Sequence, residues 1–269
     1  MPARRRAALS TLLLHPVTTL ARFARRRARA AFRVENLPDR DASLEALTEV
    51  ERAALVRHWQ RRAGSEQRIG LAFRQMVPLL RAVGATPIVL GLLELSAADE
   101  LRHAEICIAM AERYAGAQVT LAERDSVALP SFGAADERLE AALLVAGTCC
   151  VNETLATVWL EQSLAASSTP LSVFANRAHL RDEIDHARLG WAHLASDALD
   201  ADLREALAEC IPRLLSANLP LWLEPDPFIP LAGIAGHGQP PHAEVERAIQ
   251  HAVSELLLPG FAHVGLASH

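Results

Sequence analysis

Asp99-Glu100-Leu101-Arg102-His103 and Asp182-Glu183-Ile184-Asp185-His186 spell the same string, Asp-Glu-x-x-His, at two places 83 residues apart. On an α-helix, residues three apart face the same side, so each Glu and His pair can close on one ion. Among 21 Glu and 11 His, the bare Glu-x-x-His pattern is expected roughly once by chance. Requiring Asp immediately before it lowers the expectation to roughly 0.03 copies. Two copies therefore point to a repeated helical unit that carries metal ligands.

The flanking sequence repeats with them. Thr86-Pro87 stands fourteen and thirteen residues before Glu100, and Thr169-Pro170 stands the same distances before Glu183. Ala104 matches Ala187 and Ala109 matches Ala192 at the same offset. A Thr N-cap followed by a first-turn Pro starts each of these helices. A duplicated helical hairpin predicts one more ligand on each partner helix. Glu66 is the only carboxylate between Glu51 and Glu94, and reflecting Glu100 through the turn near Gly84 brings the two level. Glu153 stands opposite Glu183 across the turn near Ser168. Six donors then converge at mid-bundle: Glu66, Glu100, His103, Glu153, Glu183 and His186. Buried carboxylates need a cation or a proton, and two divalent ions supply that charge. The alternative is a set of solvated surface carboxylates with incidental histidine neighbours, the reading that suits Glu105, Glu112 and Glu161.

Several other side chains share the ligand stripes. Asp99 and Asp182 fall one turn before His103 and His186 and are placed to hold imidazole N–H groups from behind, or else to be solvated charges. His179 lies four residues before Glu183 and seven before His186, while the equivalent position in the first repeat is Ser96. A third nitrogen ligand to one ion and a capping or core histidine are both open to it. His193 continues the stripe roughly 10 Å further along the axis, which leaves it a packing or proton-relay role. Thr157, one turn after Glu153, can turn its hydroxyl toward the metal cavity or bond its own backbone.

Around these motifs the chain reads as all-α. Ala and Leu dominate while Val, Ile and aromatic residues are few, a balance that favours helix over strand. Thr48 and Glu51 form a capping box that opens a long first helix ending before Gly84, with a kink or early stop expected at Pro78. The second helix runs from Pro87 to about Tyr114. Residues 115–135, with Gly116, Pro130 and Gly133, form a stretch too long for a tight turn, as a crossover along a bundle requires. A third helix is expected over 136–164 and a fourth from Pro170 to about Leu199. Helices near 201–216 and 242–258 flank a Pro-rich loop from Pro220 to Pro241. This divides the chain into a basic arm (1–42), a four-helix bundle (43–200) and C-terminal helices packed on it (201–269).

The net charge of −5 is uneven: residues 1–34 carry nine Arg and no acid, so the remainder carries −14. The run Arg25, Arg26, Arg27 and Arg29 after Leu12–Leu14 could rest on anionic lipid or nucleic acid, but a solvated or partly docked tail is the preferred reading, with no nucleic-acid partner expected. The apolar stretch from Ala7 to Leu14 is short for a secretion signal, and the run from Ile88 to Leu95 is broken by Glu94, so no transmembrane segment is expected. Cys107, Cys149, Cys150 and Cys210 show neither zinc nor redox spacing and are expected as reduced core residues. The default location is cytoplasmic.

The order Glu, Glu-x-x-His, Glu, Glu-x-x-His, filled by Glu66, Glu100, His103, Glu153, Glu183 and His186, resembles the ferritin-like diiron carboxylate superfamily. His179 extends the second motif to His-x-x-x-Glu-x-x-His, which looks like the p-aminobenzoate N-oxygenase family, where a third histidine joins the diiron site. Asp99-Glu100-x-Arg102-His103 also fits that family, though acyl carrier protein desaturases share a similar string. The resemblance implies a ferritin-like four-helix bundle whose two ions, Fe/Fe or Mn/Fe, react with O2 and oxygenate a bound small molecule, N-oxygenation included. An electron donor and a homodimeric state are compatible with that class. With one Tyr and seven Phe, the chain departs from what an arylamine pocket would lead one to expect. The alternative is a ferroxidase, iron-handling or peroxide-detoxifying protein, which the 42-residue N-terminal segment and the C-terminal 70 residues do not suit.

Overall fold

The computed structural model describes residues 32–39, 41–122 and 124–266, and all its regular elements are helical. Four long helices lead: α1 (Glu49–Ala82), α2 (Pro87–Ala115), α3 (Glu137–Ala165) and α4 (Pro170–Leu194). The expected caps start three of them. Thr48 and Glu51 exchange both bonds of a capping box, while the Thr86 and Thr169 hydroxyls accept from the Val89 and Ser172 N–H groups. α1 packs along α2, α3 along α4, and α2 against α4. The connection between α2 and α3 is non-helical among its described residues. After α4 come α5 (Ala201–Asn218), the one-turn α6 (Pro220–Leu223), α7 (His242–Ala252) and α8 (Leu258–His263). α5 and α7 both lie against α3.

Four expectations change. α1 makes no early stop at Pro78 but continues to Ala82, because Met76, Val77 and Leu80 are buried there and packing outweighs the lost backbone bond. α4 stops at Leu194 rather than Leu199 although no Gly or Pro ends it. The Ser196 hydroxyl bonds the His193 carbonyl and the Arg204 guanidinium caps the Leu194 and Ser196 carbonyls, so the chain end is satisfied without another turn. α3 is not regular: residues Ala146–Asn152 form a π-helical turn. The C-terminal helix has a second such turn, Val253–Leu257, between α7 and α8.

Membrane length is also met where it was not expected. α3 is long and apolar enough to cross a bilayer, yet 78% of that window is buried inside the protein, as befits a helix covered by α4, α5 and α7. The described end of the basic arm is docked. Leu37 is buried, Asp41 accepts from the Leu171 N–H, and Arg113 reaches the Pro38 carbonyl. The basic run Arg25–Arg29 lies outside the described residues. Cys107, Cys149 and Cys150 are buried free thiols, and Cys210 is partly exposed.

The apolar core falls into two clusters. One gathers Phe73, Met76, Leu80 and Leu93 with Leu144, Val151, Leu155 and the C-terminal helices. The other gathers Leu55, Trp59, Ala63, Ile106, Met110 and Tyr114 with Leu171 and Ala178. Along α1, α2 and α4 the carboxylates and histidines occupy the band between the two.

Candidate metal centre

That band brings all six expected donors together. Glu66, Glu100, His103 and Glu183 place one ligand atom each within 4.8 Å of one another, and so do Glu100, Glu153, Glu183 and His186. Glu100 and Glu183 belong to both sets, Glu66 and His103 to one and Glu153 and His186 to the other. The i, i+3 spacing works as the sequence implies: His103 Nδ1 is 3.6 Å from Glu100 Oε2, and His186 Nδ1 is 3.0 Å from Glu183 Oε2. His103 Nδ1 also lies 3.6 Å from Glu183 Oε1, and His186 Nδ1 lies 2.7 Å from Glu100 Oε1. Both imidazoles therefore aim Nδ1 inward.

Their outer nitrogens are held crosswise. His103 Nε2 lies 3.3 Å from Asp182, and His186 Nε2 lies 3.7 Å from Asp99, so each aspartate serves the other motif's histidine. Arg102 ties the two aspartates, pairing with Asp99 at 3.0 Å and with Asp182, which also takes two bonds from Arg181. This fixes the ring orientation that an ion would need.

Electrostatics follow from packing so many acids in a dry band. Burial, then the nearby Glu100 charge, pushes the Glu66 carboxyl up to about 8. Burial and then Glu183 hold the Glu153 carboxyl well above its ordinary value. Burial opposes a proton on His103, yet the Asp182, Glu100 and Glu183 carboxylates outweigh it and raise the imidazole to about 9. Burial likewise opposes a proton on His186, but Glu183 and Glu100 hold its imidazole well above the ordinary value. Glu100, despite burial, is held low by His186 and His103. Neither oxygen of Glu100, nor His103 Nδ1, has a well-directed hydrogen bond, although all three atoms are buried. These buried atoms meet only as poorly directed ion pairs, and a divalent cation would answer all three at once. The residues present fit a pair of such ions.

Local backbone shapes the two ends differently. The π turn ends at Glu153, whose N–H bonds the Thr148 carbonyl five residues back. π turns cluster at functional sites because the extra residue re-aims the side chains that follow. It is pressed by Gly190 of α4, where an added Cβ would lie 2.7 Å from both Cys149 Cβ and Cys150 Sγ. On the other side Gly70 lets α1 approach α2, an added Cβ there meeting Glu100 Cβ at 3.1 Å.

The remaining expected residues are placed apart. His179 stands outside both sets of four. Its Nδ1 donates to the Ala175 carbonyl at 2.7 Å, and its Nε2 faces Cys107 Sγ at 3.4 Å and Glu66 Oε1 at 3.9 Å. Thr157 bonds the Glu153 carbonyl at 2.9 Å, the backbone alternative rather than the cavity. His193 is buried, and no hydrogen bond or ion pair among the described residues joins it to the six donors.

Sequence reading missed two features. Cys107 lies four residues after His103 on the same stripe, a spacing that marks it once cysteines are compared with ligands rather than with each other. The second is a cavity of about 470 Å³ between α1 and α3, reaching Glu66, Glu100, Glu153 and Glu183 at its inner end. Trp159, Leu160, Trp222 and Ile229 line it, the last two brought by the C-terminal segment. At that inner end Arg62 pairs with Glu66 at 3.1 Å while its guanidinium lies 4.9 Å from the Trp59 ring centroid and 4.6 Å from that of Trp159. No protein-family model, curated protein or solved structure matches the chain.

Proposed function

We propose that the chain is a ferritin-like four-helix bundle that acts as a non-haem diiron oxygenase on a small organic molecule. The observation that carries this is the cavity of about 470 Å³ ending on four carboxylates of the centre. Its size lies in the range of small-molecule sites, whereas oxidation of iron alone calls for no organic pocket. Glu66, Glu100, His103, Glu153, Glu183 and His186 would hold the iron, which would supply the activation of O2.

The protein's own residues do the rest. Asp182 and Asp99 keep each imidazole turned with Nδ1 inward, and Arg102 fixes the aspartates. Trp159, Leu160, Trp222 and Ile229 seat an apolar body and exclude water from the inner end. Arg62, clamped between two indoles, steadies Glu66 where the cavity meets the band. N-oxygenation, which the His-x-x-x-Glu-x-x-His resemblance implies, loses its main support because His179 stands outside both sets of four donors, so the reading stays at oxygenation of a small molecule.

Two measurements test the proposal. Anaerobic Fe(II) reconstitution should load about two irons per chain. Ala156 lines the cavity, so Ala156→Phe should retain both irons and their oxidation by O2 while weakening the binding of small apolar probes such as indole at least tenfold. Fewer than one iron per chain would overturn the metal centre. Continued oxidation of many irons per chain into mineral, with no probe bound by either protein, would favour the ferroxidase alternative.

A further inference from the structure

We propose that Glu66, Cys107 and His179 form a third cation position, for a thiophilic divalent ion of the zinc and cadmium class, which competes with the iron pair by taking Glu66. The three side chains come from α1, α2 and α4, and place one ligand atom each within 4.8 Å of one another. His179 is already in the form a ligand requires. Its Nδ1–H is committed to the Ala175 carbonyl at 2.7 Å, so Nε2 turns its lone pair toward Cys107 and Glu66. Cys107 Sγ and His179 Nε2 are 3.4 Å apart. Donors at the usual zinc distances, roughly 2.3 Å for sulfur and roughly 2.0 Å for nitrogen, stand about 3.5 Å apart at a tetrahedral angle.

The third donor needs a small movement. Glu66 Oε1 is 3.9 Å from His179 Nε2, and closing that gap asks the carboxylate to swing by about half an ångström toward tetrahedral spacing. Glu66 has room for this because it borders the cavity, which also gives an ion its way in. Charge balances: a thiolate and a carboxylate answer a divalent ion, and the thiol proton leaves to solvent as the metal–sulfur bond forms. Selectivity comes from the sulfur. Both sets of the iron centre offer only carboxylate oxygen and imidazole, so a soft ion gains at Cys107 what it finds at neither. The simpler reading, a core thiol donating to a histidine, predicts no metal–sulfur bond.

The cation position goes beyond the oxygenase reading and is tested without iron, while its competition for Glu66 rests on that reading. Metal-free full-length protein is titrated with Cd(II) and followed by the ultraviolet thiolate-to-metal charge-transfer absorption. The expected result is a band corresponding to one thiolate per chain, lost in Cys107→Ser, weakened at least tenfold in affinity in His179→Ala, and kept in Glu153→Gln. Zn(II) added before iron should lower the iron content from about two per chain to about one. No band in the wild-type protein overturns the proposal without recourse to any variant. A band that survives in Cys107→Ser also overturns it, since the sulfur would then be that of Cys149, Cys150 or Cys210. Failure of the protein to hold iron, with the cadmium band present, would instead sink the diiron reading and the competition with it, but not the cation position.

Discussion

The α1–α2 and α3–α4 hairpins carry the same ligand string and the same Thr-Pro helix start, but they differ wherever the repeat lets them. α1 is an unbroken helix of 34 residues whose ligand Glu66 borders the cavity and is paired with Arg62. α3 is interrupted by a π turn immediately before Glu153, which is buried and whose one basic ion-pair partner among the described residues is His186 at 3.9 Å. Ser96 faces His179 in the repeat register, Cys107 faces Gly190, and Met110 faces His193. The matched positions decide which residues meet at the centre. The unmatched ones make its two ends chemically unequal, with sulfur and an extra imidazole at one and a close-packed π turn at the other.

The comparison is broken most directly at the shared ligands. Glu183 belongs to both sets of four and Glu153 to one. Glu183→Ala should therefore drop iron below one per chain, and Glu153→Ala should leave about one. Equal loss in the two variants would erase the distinction between shared and terminal carboxylates. Stability should follow, because a ligand at a thousand times its Kd contributes about 4 kcal/mol to folding. The Tm difference between iron-loaded and chelated protein should be large in the wild type and nearly absent in Glu183→Ala.

Next in size is the packing of the hairpins. Gly190→Ala drives a methyl to 2.7 Å from Cys149 and Cys150, an overpacking that costs about 1–3 kcal/mol. Gly70→Ala meets its nearest atoms at 3.1 Å and recovers the about 0.5–1 kcal/mol by which Ala outdoes Gly in a helix, so it should fall near neutral. Urea unfolding of the two variants measures the difference.

Acid should act on one hairpin through a residue that the other lacks. Burial holds the His193 imidazole down to about 4, from an ordinary value of 6.5. The folded protein therefore binds fewer protons than the unfolded chain between these values. That stability is fully present above pH 6.5 and is lost as pH falls toward 4, a change of about 2–3 kcal/mol. His193→Met, which copies Met110, should shrink the gap between urea midpoints at pH 7 and pH 4.5. The smallest contrast lies at the caps. Thr86 is exposed, whereas Thr169 is buried and also bonds the Ser172 hydroxyl at 2.9 Å. Thr86→Ala should cost about 0.5–1 kcal/mol and Thr169→Ala about 1–2 kcal/mol, read from thermal unfolding.

What was legible in the sequence was what depends on helical period and on counting. The long helices, their three threonine caps, the crossover and the convergence of six donors all follow from residues three, four or seven apart and from reflection through two turns. The π turn was not legible because its cause is remote: Ala146–Asn152 is shaped against Gly190, forty residues on, and no local residue announces it. The pairing of Asp99 with His186 and of Asp182 with His103 was hidden for the same reason, since each aspartate has a histidine on its own helix that looks like the partner. The cavity walls were hidden because Trp222 and Ile229 are ordinary apolar residues until the C-terminal segment folds back over α1 and α3.

The crosswise aspartates bear on the order in which the molecule comes together. A hairpin folding alone would present an imidazole with nothing to choose its tautomer, since the carboxylate that does so sits on the other hairpin. Neither half can finish its candidate ligand set before the other docks, so on the diiron reading iron capture would belong at the close of folding rather than at its start. A chain severed in the crossover should accordingly yield two fragments that are each blind to iron and regain it only when mixed.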